Sequence, residues 1–374
     1  MSALRNLVDK IKPTFTKGGK LGFLESTFDA FETFLFVPNT TTSKGAHIRD
    51  CNDMKRTMIM VVVALMPALL FGFYNTGYMH FLSQGVQPEF WASLWFGFLK
   101  VLPLIVVSYV VGLGIEFGFA QARGHEVNEG FLVTGLLIPM IMPVGTPLWM
   151  IALGTAFAVI FGKEVFGGTG MNVFNPALVA RAFVFFAYTP FISGEKVWFA
   201  DDAVSGATAL EQLATSGTMS YSTADAFLGF IPGCVGETST LAILIGAAIL
   251  LFTGVASWRT MSFVFIGGLA MGYFFQALGV TTYPAWEHLI VGGFAFGAVF
   301  MATDPVTSAQ TRTGQYIVGF LTGALAVLIR VVNPAYPEGM MLAILFMNAL
   351  APLVDYCVVE SSISRRKKRV KLVK

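Results

Sequence analysis

The chain has 374 residues, of which 55% are hydrophobic and only 12% charged, and its formal net charge is +2. Soluble domains carry about 25% charged residues, so this composition excludes an ordinary soluble enzyme and points to an integral membrane protein. Cys51, Cys234 and Cys357 stand alone with no C-x-x-C pair, which argues against a disulfide scaffold or a self-contained iron–sulfur cluster.

The first residues, to about position 55, are polar and basic and do not read as a secretory signal. Within them, LGFLESTFDAFETFLFV (21–37) sets Leu21, Leu24, Phe28, Phe31 and Leu35 on one helical face and Glu25, Asp29 and Glu32 on the other. That acidic face disfavours anionic lipid, so docking on a partner protein of the same assembly is expected. Ten apolar stretches follow, near 57–74, 97–119, 130–143, 147–162, 173–188, 238–255, 259–279, 285–302, 315–332 and 339–357. Each is long enough, or nearly so, to cross a hydrocarbon core of about 30 Å. The predicted fold class is therefore an all-α polytopic membrane protein with about ten transmembrane helices. Several stretches are short or interrupted by Pro139, Pro143 or Pro176. That is the pattern of broken or re-entrant helices, which survive only against protein or a wet cavity.

Lysine and arginine predict the orientation. Nine lie before the first stretch and seven after the last; with both termini cytoplasmic, Arg123, Lys163, Arg259 and Arg312 fall inside as well, 20 of 24 in all. Lys196 and Arg330 fall at or near external loops, while Lys100 and Arg181 sit within or beside spans. The chain thus divides into a cytoplasmic arm with an amphipathic helix (1–55), a membrane domain (56–358) and a basic cytoplasmic tail (359–374). The longest external stretch is 189–237, long enough to be functional. Phe174-Asn175-Pro176 after a glycine-rich run faintly echoes Thr303-Asp304-Pro305 after Gly292, Gly293 and Gly297. With five spans per half, such an echo predicts two inverted five-helix repeats, an arrangement that builds a midplane site from broken helices.

Polar residues in apolar surroundings carry most of the chemical information. MNVFNPALVARAFVFFA (171–187) holds Asn172, Asn175 and Arg181, and hydrocarbon penalises each unsatisfied polar group by several kcal/mol. Either a polar ligand occupies that segment, or the asparagines cap a helix beginning at Pro176. GLGIEFG (112–118) opens no βαβ unit, so a nucleotide-loop reading fails, and no other dinucleotide fingerprint is present. Close helix packing through Gly114 and Gly118 is expected there instead. Glu116, a carboxylate within a span, is a candidate ion ligand, proton relay or quinone acceptor. Asp304, Glu338 and Asp355 flank or enter later spans; they either cap helices and snorkel or join Glu116 along a cation path. HEVNEG (125–130) lacks the second histidine of a zincin, and the histidines at 47, 80, 125 and 288 form no visible haem pair. No metal site and no nucleic-acid partner are predicted.

HEVNEGF (125–131), GKEVFGGTGMNVFNPALVARAF (162–183), SGATAL (205–210), GGFAFGAVFMATDPV (292–306) and IRVVNPAYPEGMMLAILFMN (329–348) closely resemble the B subunit of the Na+-translocating NADH:quinone oxidoreductase, from about Ala46 to the basic tail. The related Rnf D subunit shares the threonine motif but usually lacks so long an arm and this VNPAYPEGMM run. The resemblance implies a membrane subunit of a six-subunit bacterial respiratory pump in the inner membrane. It implies FMN joined by a flavin transferase to Thr208, with Asp202, Ser205, Gly206 and Ala207 as the recognition motif. It also implies a non-covalent riboflavin near Asn172 and Asn175. A quinone region at Gly112, Leu113 and Glu116 follows too, where this chain has Gly112-Leu113 and the family often has two glycines. Electrons would then pass from FMN through riboflavin to quinone, coupled to Na+ export. A non-redox solute channel of the same inverted-repeat fold is the rival from another class.

Overall fold

Apolar helix formers and helix breakers alternate along the chain, and the architecture follows from where the breakers fall. A computed structural model describes residues 2–15, 22, 28, 32, 36, 42–48, 54–123, 130–192, 208–333 and 338–371. Among them all regular structure is helical: α1 (Ser2–Phe15), α2 (Met54–Ser83), α3 (Phe90–Arg123), α4 (Phe131–Met140), α5 (Leu148–Gly162), α6 (Pro176–Ala187), α7 (Ala209–Ser216), α8 (Thr223–Leu228), α9 (Thr240–Phe252), α10 (Trp258–Ala277), α11 (Arg312–Val332) and α12 (Gly339–Lys371), with a few single turns between. Residues 125–129, 201–207 and most of 21–37 lie outside the described residues, and with them Asp202, Ser205, Gly206 and Ala207.

Helices or single helical turns occur at all ten predicted stretches, and not all of them are complete spans. Six helices among the described residues, α2, α3, α5 with its short continuation to Phe166, α10, α11 and α12, are long and apolar enough to cross a membrane. The helices α4, α6 and α9 have 10, 12 and 13 residues. At 1.5 Å per residue they reach only about 15–20 Å of a core near 30 Å. The eighth stretch is a chain of turns, Glu287–Ile290, Phe294–Phe296 and a π-helical turn Gly297–Met301. The physical reason is local. Asn175 caps α6 with Pro176 at its first position, Ser239 caps α9, and α4 ends just past Pro139, so capping and proline set where these short helices begin or end.

Glycines set the closest helix contacts. In the extensive α10–α11 interface, a Cβ at Gly267 would overlap the carbonyl of Phe320, and one at Gly323 the carbonyl of Val264. On α3 the buried stripe is Ser108, Gly112, Glu116 and Ala120, and Gly112 lies against the Phe131 ring. Gly114 and Gly118 have open space where a Cβ would sit, so the packing expected of them belongs to Gly112. Residues four apart share a helix face, and Gly114 and Gly118 lie on the opposite, exposed one. In the arm, Lys12 and Arg5 of α1 hold Glu32 at 2.7 and 3.4 Å, and Phe15 stacks on Phe28.

Candidate functional site

Two pockets lie back to back around the first turn of α6. Asn175 and Pro176 line one, Leu178 and Arg181 the other. The π-helical turn forms the rest of the partition, with Met301 facing the Arg181 pocket and Phe300 the Asn175 pocket.

Thr208 is on the wall of the Arg181 pocket. It is the N-cap of α7 with an extended backbone, and its Oγ1 accepts the Glu211 amide at 3.2 Å, so the hydroxyl is oriented by ordinary capping. Facing it is a set of buried charges. Arg181 donates to Glu338 from Nε at 3.1 Å and from Nη2 at 2.5 Å, and from Nη1 to Cys234 Sγ at 3.2 Å. Its Nη1 also lies 4.0 Å from Glu237 Oε1. Arg330, in the last turn of α11, donates from Nη1 to the His288 carbonyl at 2.6 Å and lies over the Phe294 ring. Arg330 Nε and His288 Nε2 are buried with no hydrogen-bond partner among the described residues. Gly292 and Gly293 complete this wall. Gly292 has φ +68°, and a Cβ on Gly293 would come within 2.6 Å of Glu237 Oε1. Tyr283, in the connection before this segment, packs its ring 4.9 Å from His288. Burial raises its phenol pKa above the usual range against the pull of Arg330, so it stays neutral.

The Asn175 pocket is lined by Asn172, Asn175, Lys163, Thr303 and Asp304 among apolar neighbours. Asn175 caps α6: its Oδ1 accepts the amides of Ala177 and Leu178 at 3.0 and 3.4 Å, with Pro176 at the first helical position. Its Nδ2 lies 3.5 Å from Asp304 Oδ2, so the two echoing motifs of the sequence meet here. They belong to the fifth and the third segment of their halves, and the contact alone does not define a repeat. Asn172 Nδ2 donates to the Phe174 carbonyl at 3.0 Å, and its Oδ1 accepts no bond among the described residues.

Glu116 is not a lone carboxylate. It forms a short ion pair with Lys163, the side chains only 4% exposed on both sides. Arg123 and Glu164 make another pair beside it at 3.3 Å. Lys163 lines the Asn175 pocket, so Glu116 and Asp304 belong to one neighbourhood. Glu338 lies in the Thr208 pocket on Arg181, while Asp355 accepts the amides of Gln310 and Thr311 at 2.6 and 3.0 Å and the Thr311 hydroxyl at 2.5 Å. The four carboxylates thus occupy three places. Gly112 and Leu113 lie on α3, Gly112 against Phe131 and Leu113 half-buried. Sequence reasoning missed Arg330, Glu237 and Cys234, and it counted Lys163 as a loop cation. For Arg330 a signal was present, since a cation within an apolar stretch is a functional candidate. For Glu237 and Cys234 spacing offered none.

A helical membrane protein with broken helices, two interior pockets and a threonine facing buried arginines is the class that this fold and site define. The chain belongs to the NQR2, RnfD, RnfE family, whose model matches residues 41–364. It is 47% identical to the B subunit of the Na(+)-translocating NADH-quinone reductase of Chromohalobacter salexigens, over 98% of this chain and 96% of that protein. It is 46% identical to the proteins of the same name from Pseudomonas paraeruginosa and Azotobacter vinelandii, over 97% of this chain and 98% of each of theirs.

Proposed function

We propose that this chain acts as a membrane subunit of a Na+-translocating NADH-quinone reductase, working with the other subunits of a six-subunit complex in a bacterial inner membrane with both termini cytoplasmic. The near-full-length likeness to proteins of that name supports the class. The observation that carries the site is Thr208, a loop hydroxyl on the wall of a pocket with buried arginines. Thr208 carries FMN through a phosphodiester made by a flavin transferase that reads Asp202, Ser205, Gly206 and Ala207. Riboflavin lies in the other pocket near Asn172 and Asn175. Gly112, Leu113 and Glu116 mark the quinone region, and Glu116 with Asp304 the cation path. Glu338 and Asp355 extend that path, and all four carboxylates are held by partners within the chain: Glu116 by Lys163, Asp304 by Val306 and Thr307, Glu338 by Arg181 and Asp355 by Thr311.

The residues present fit such groups. In the Thr208 pocket, Arg330 lies against Gly292 with an Nε that has no hydrogen-bond partner among the described residues, which suits an anionic group. In the Asn175 pocket, amides offer both donors and acceptors to a ring edge. When bound, the flavins supply one- and two-electron transfer. The chain's own residues hold them on either side of a single partition, the first turn of α6 and the π-helical turn. Interrupted segments at the third position of each half support the inverted-repeat reading.

Fluorescence of the denatured, acid-washed band under ultraviolet light tests the assignment, because a solute channel carries no covalent flavin. Wild type should fluoresce, and Thr208→Val should lose the signal while inserting normally. A fluorescent Thr208→Val band, or a flavin mapped by mass spectrometry to another residue, would sink it.

A further inference from the structure

We propose that Arg330 is the anion-holding residue of the Thr208 pocket, receiving the phosphate that ties the flavin to the chain; this rests on the reading of Thr208 as the attachment site. The two arginines of the pocket are differently committed. Arg181 has its carboxylates, Glu338 at 2.5 Å and Glu237 at 4.0 Å. Arg330 is 4% exposed and has no carboxylate within 4.0 Å among the described residues. One of its nitrogens reaches the His288 carbonyl, and Nε has no partner among those residues. A buried guanidinium without a counter-ion costs several kcal/mol, so the fold retains it at a price that an anion would offset.

Geometry brings that anion from Thr208. A Cβ built on Gly292 would lie 3.2 Å from Arg330 Nη2 and 2.9 Å from Leu210 Cδ2. The guanidinium end and the residue two positions after Thr208 therefore pack against the same glycine. A side chain at position 292 would come between them, and φ +68° there already favours glycine. Guanidinium is planar and donates in a fork that matches two phosphate oxygens, which an ammonium cannot do. Thr208 also heads the eight-residue α7, whose positive end adds to the attraction for a phosphate on its hydroxyl.

The test uses the full-length chain made without the flavin transferase, purified and first saturated with riboflavin so that only a phosphate-dependent site is read. Titration with free FMN should add one equivalent over the riboflavin, and inorganic phosphate should compete with it. Arg330→Gln should weaken FMN binding at least tenfold, with Arg330→Lys in between, and riboflavin content should not change. The proposal is overturned if no FMN binds above the riboflavin, or if Arg330→Gln binds it as tightly as wild type. The wild-type arms decide the matter even if Arg330→Gln does not fold. If instead the chain made with the transferase carries no flavin on Thr208 while arginine-dependent FMN binding persists, the attachment reading fails and the anion site stands.

Discussion

At the scale of single residues, Glu116 and Lys163 bind each other inside the membrane domain, and each is the reason the other can be there. Removing one partner of a buried pair costs about 3–5 kcal/mol, whereas replacing both by neutral groups is often tolerated. Glu116→Gln is therefore expected to lower the yield of assembled complex, and Glu116→Gln combined with Lys163→Met to recover it. If the pair lies on the quinone or cation path, the recovered double variant keeps both flavins but shows a raised KM for quinone or a weaker sodium dependence. Wild-type kinetics in that variant would remove Glu116 from the path. The two asparagines separate in the same way. Asn175 is a helix cap, so Asn175→Ala should cost about 1 kcal/mol, seen as a lowered Tm with riboflavin largely retained. Asn172 lines the pocket and its Oδ1 accepts no bond among the described residues, so Asn172→Leu should release extractable riboflavin while leaving FMN in place. Full riboflavin in Asn172→Leu would reject its role.

At the scale of elements, one polar side chain ties the start of α11 to α12 beside the apolar packing of Val318 and Leu325 against Met347 and Ala351. Asp355 takes two backbone amides and the Thr311 hydroxyl at the start of α11, and Thr311 in turn caps that helix by accepting the Gly314 amide at 3.0 Å. Asp355→Ala strands these donors and should destabilise the protein by about 1–3 kcal/mol, measured as a lower Tm with unchanged flavin content. A variant with wild-type Tm but altered sodium dependence would instead return Asp355 to the cation path. The places of the helices were legible because a long apolar run has few other solutions in a membrane. Their lengths were less so. Pro176 announced the start of α6, whereas the hydropathy of 238–255 does not itself mark the start of α9 at Thr240, behind a chain segment folded into the interior. Hydropathy averages over that segment, whereas the helix start is set by the Ser239 cap, whose hydroxyl accepts the Ala242 amide.

At the scale of the whole molecule, the exposed surface is largely apolar, with Trp91, Trp95, Phe252 and Phe346 pointing outward, as contact with lipid or with a neighbouring membrane protein requires. α12 runs 33 residues to Lys371, about 50 Å, so its basic end projects beyond a 30 Å core. The charge bias predicts that this end is cytoplasmic and the Thr208 loop external. In a background lacking Cys51 and Cys357, a cysteine at Ser216 should react with an impermeant maleimide in intact spheroplasts, and one at Ser361 only after permeabilisation. The reverse pattern would invert the orientation.

Composition, hydropathy and capping residues by themselves determined the membrane class, the places of the apolar helices and the start of α6, and the long motifs pointed to the family. All of these rest on contiguous residues, where period, charge and capping act over a few positions. Only the tertiary structure decided which polar residues meet. Thr208, Arg181, Cys234, Glu237, Arg330 and Glu338 come from separate parts of the chain to one pocket, and Lys163 left its expected loop for Glu116. Sequence spacing carries no record of such meetings, because the cost of burying a charge is met by whatever partner the packing of distant helices brings within about 4 Å.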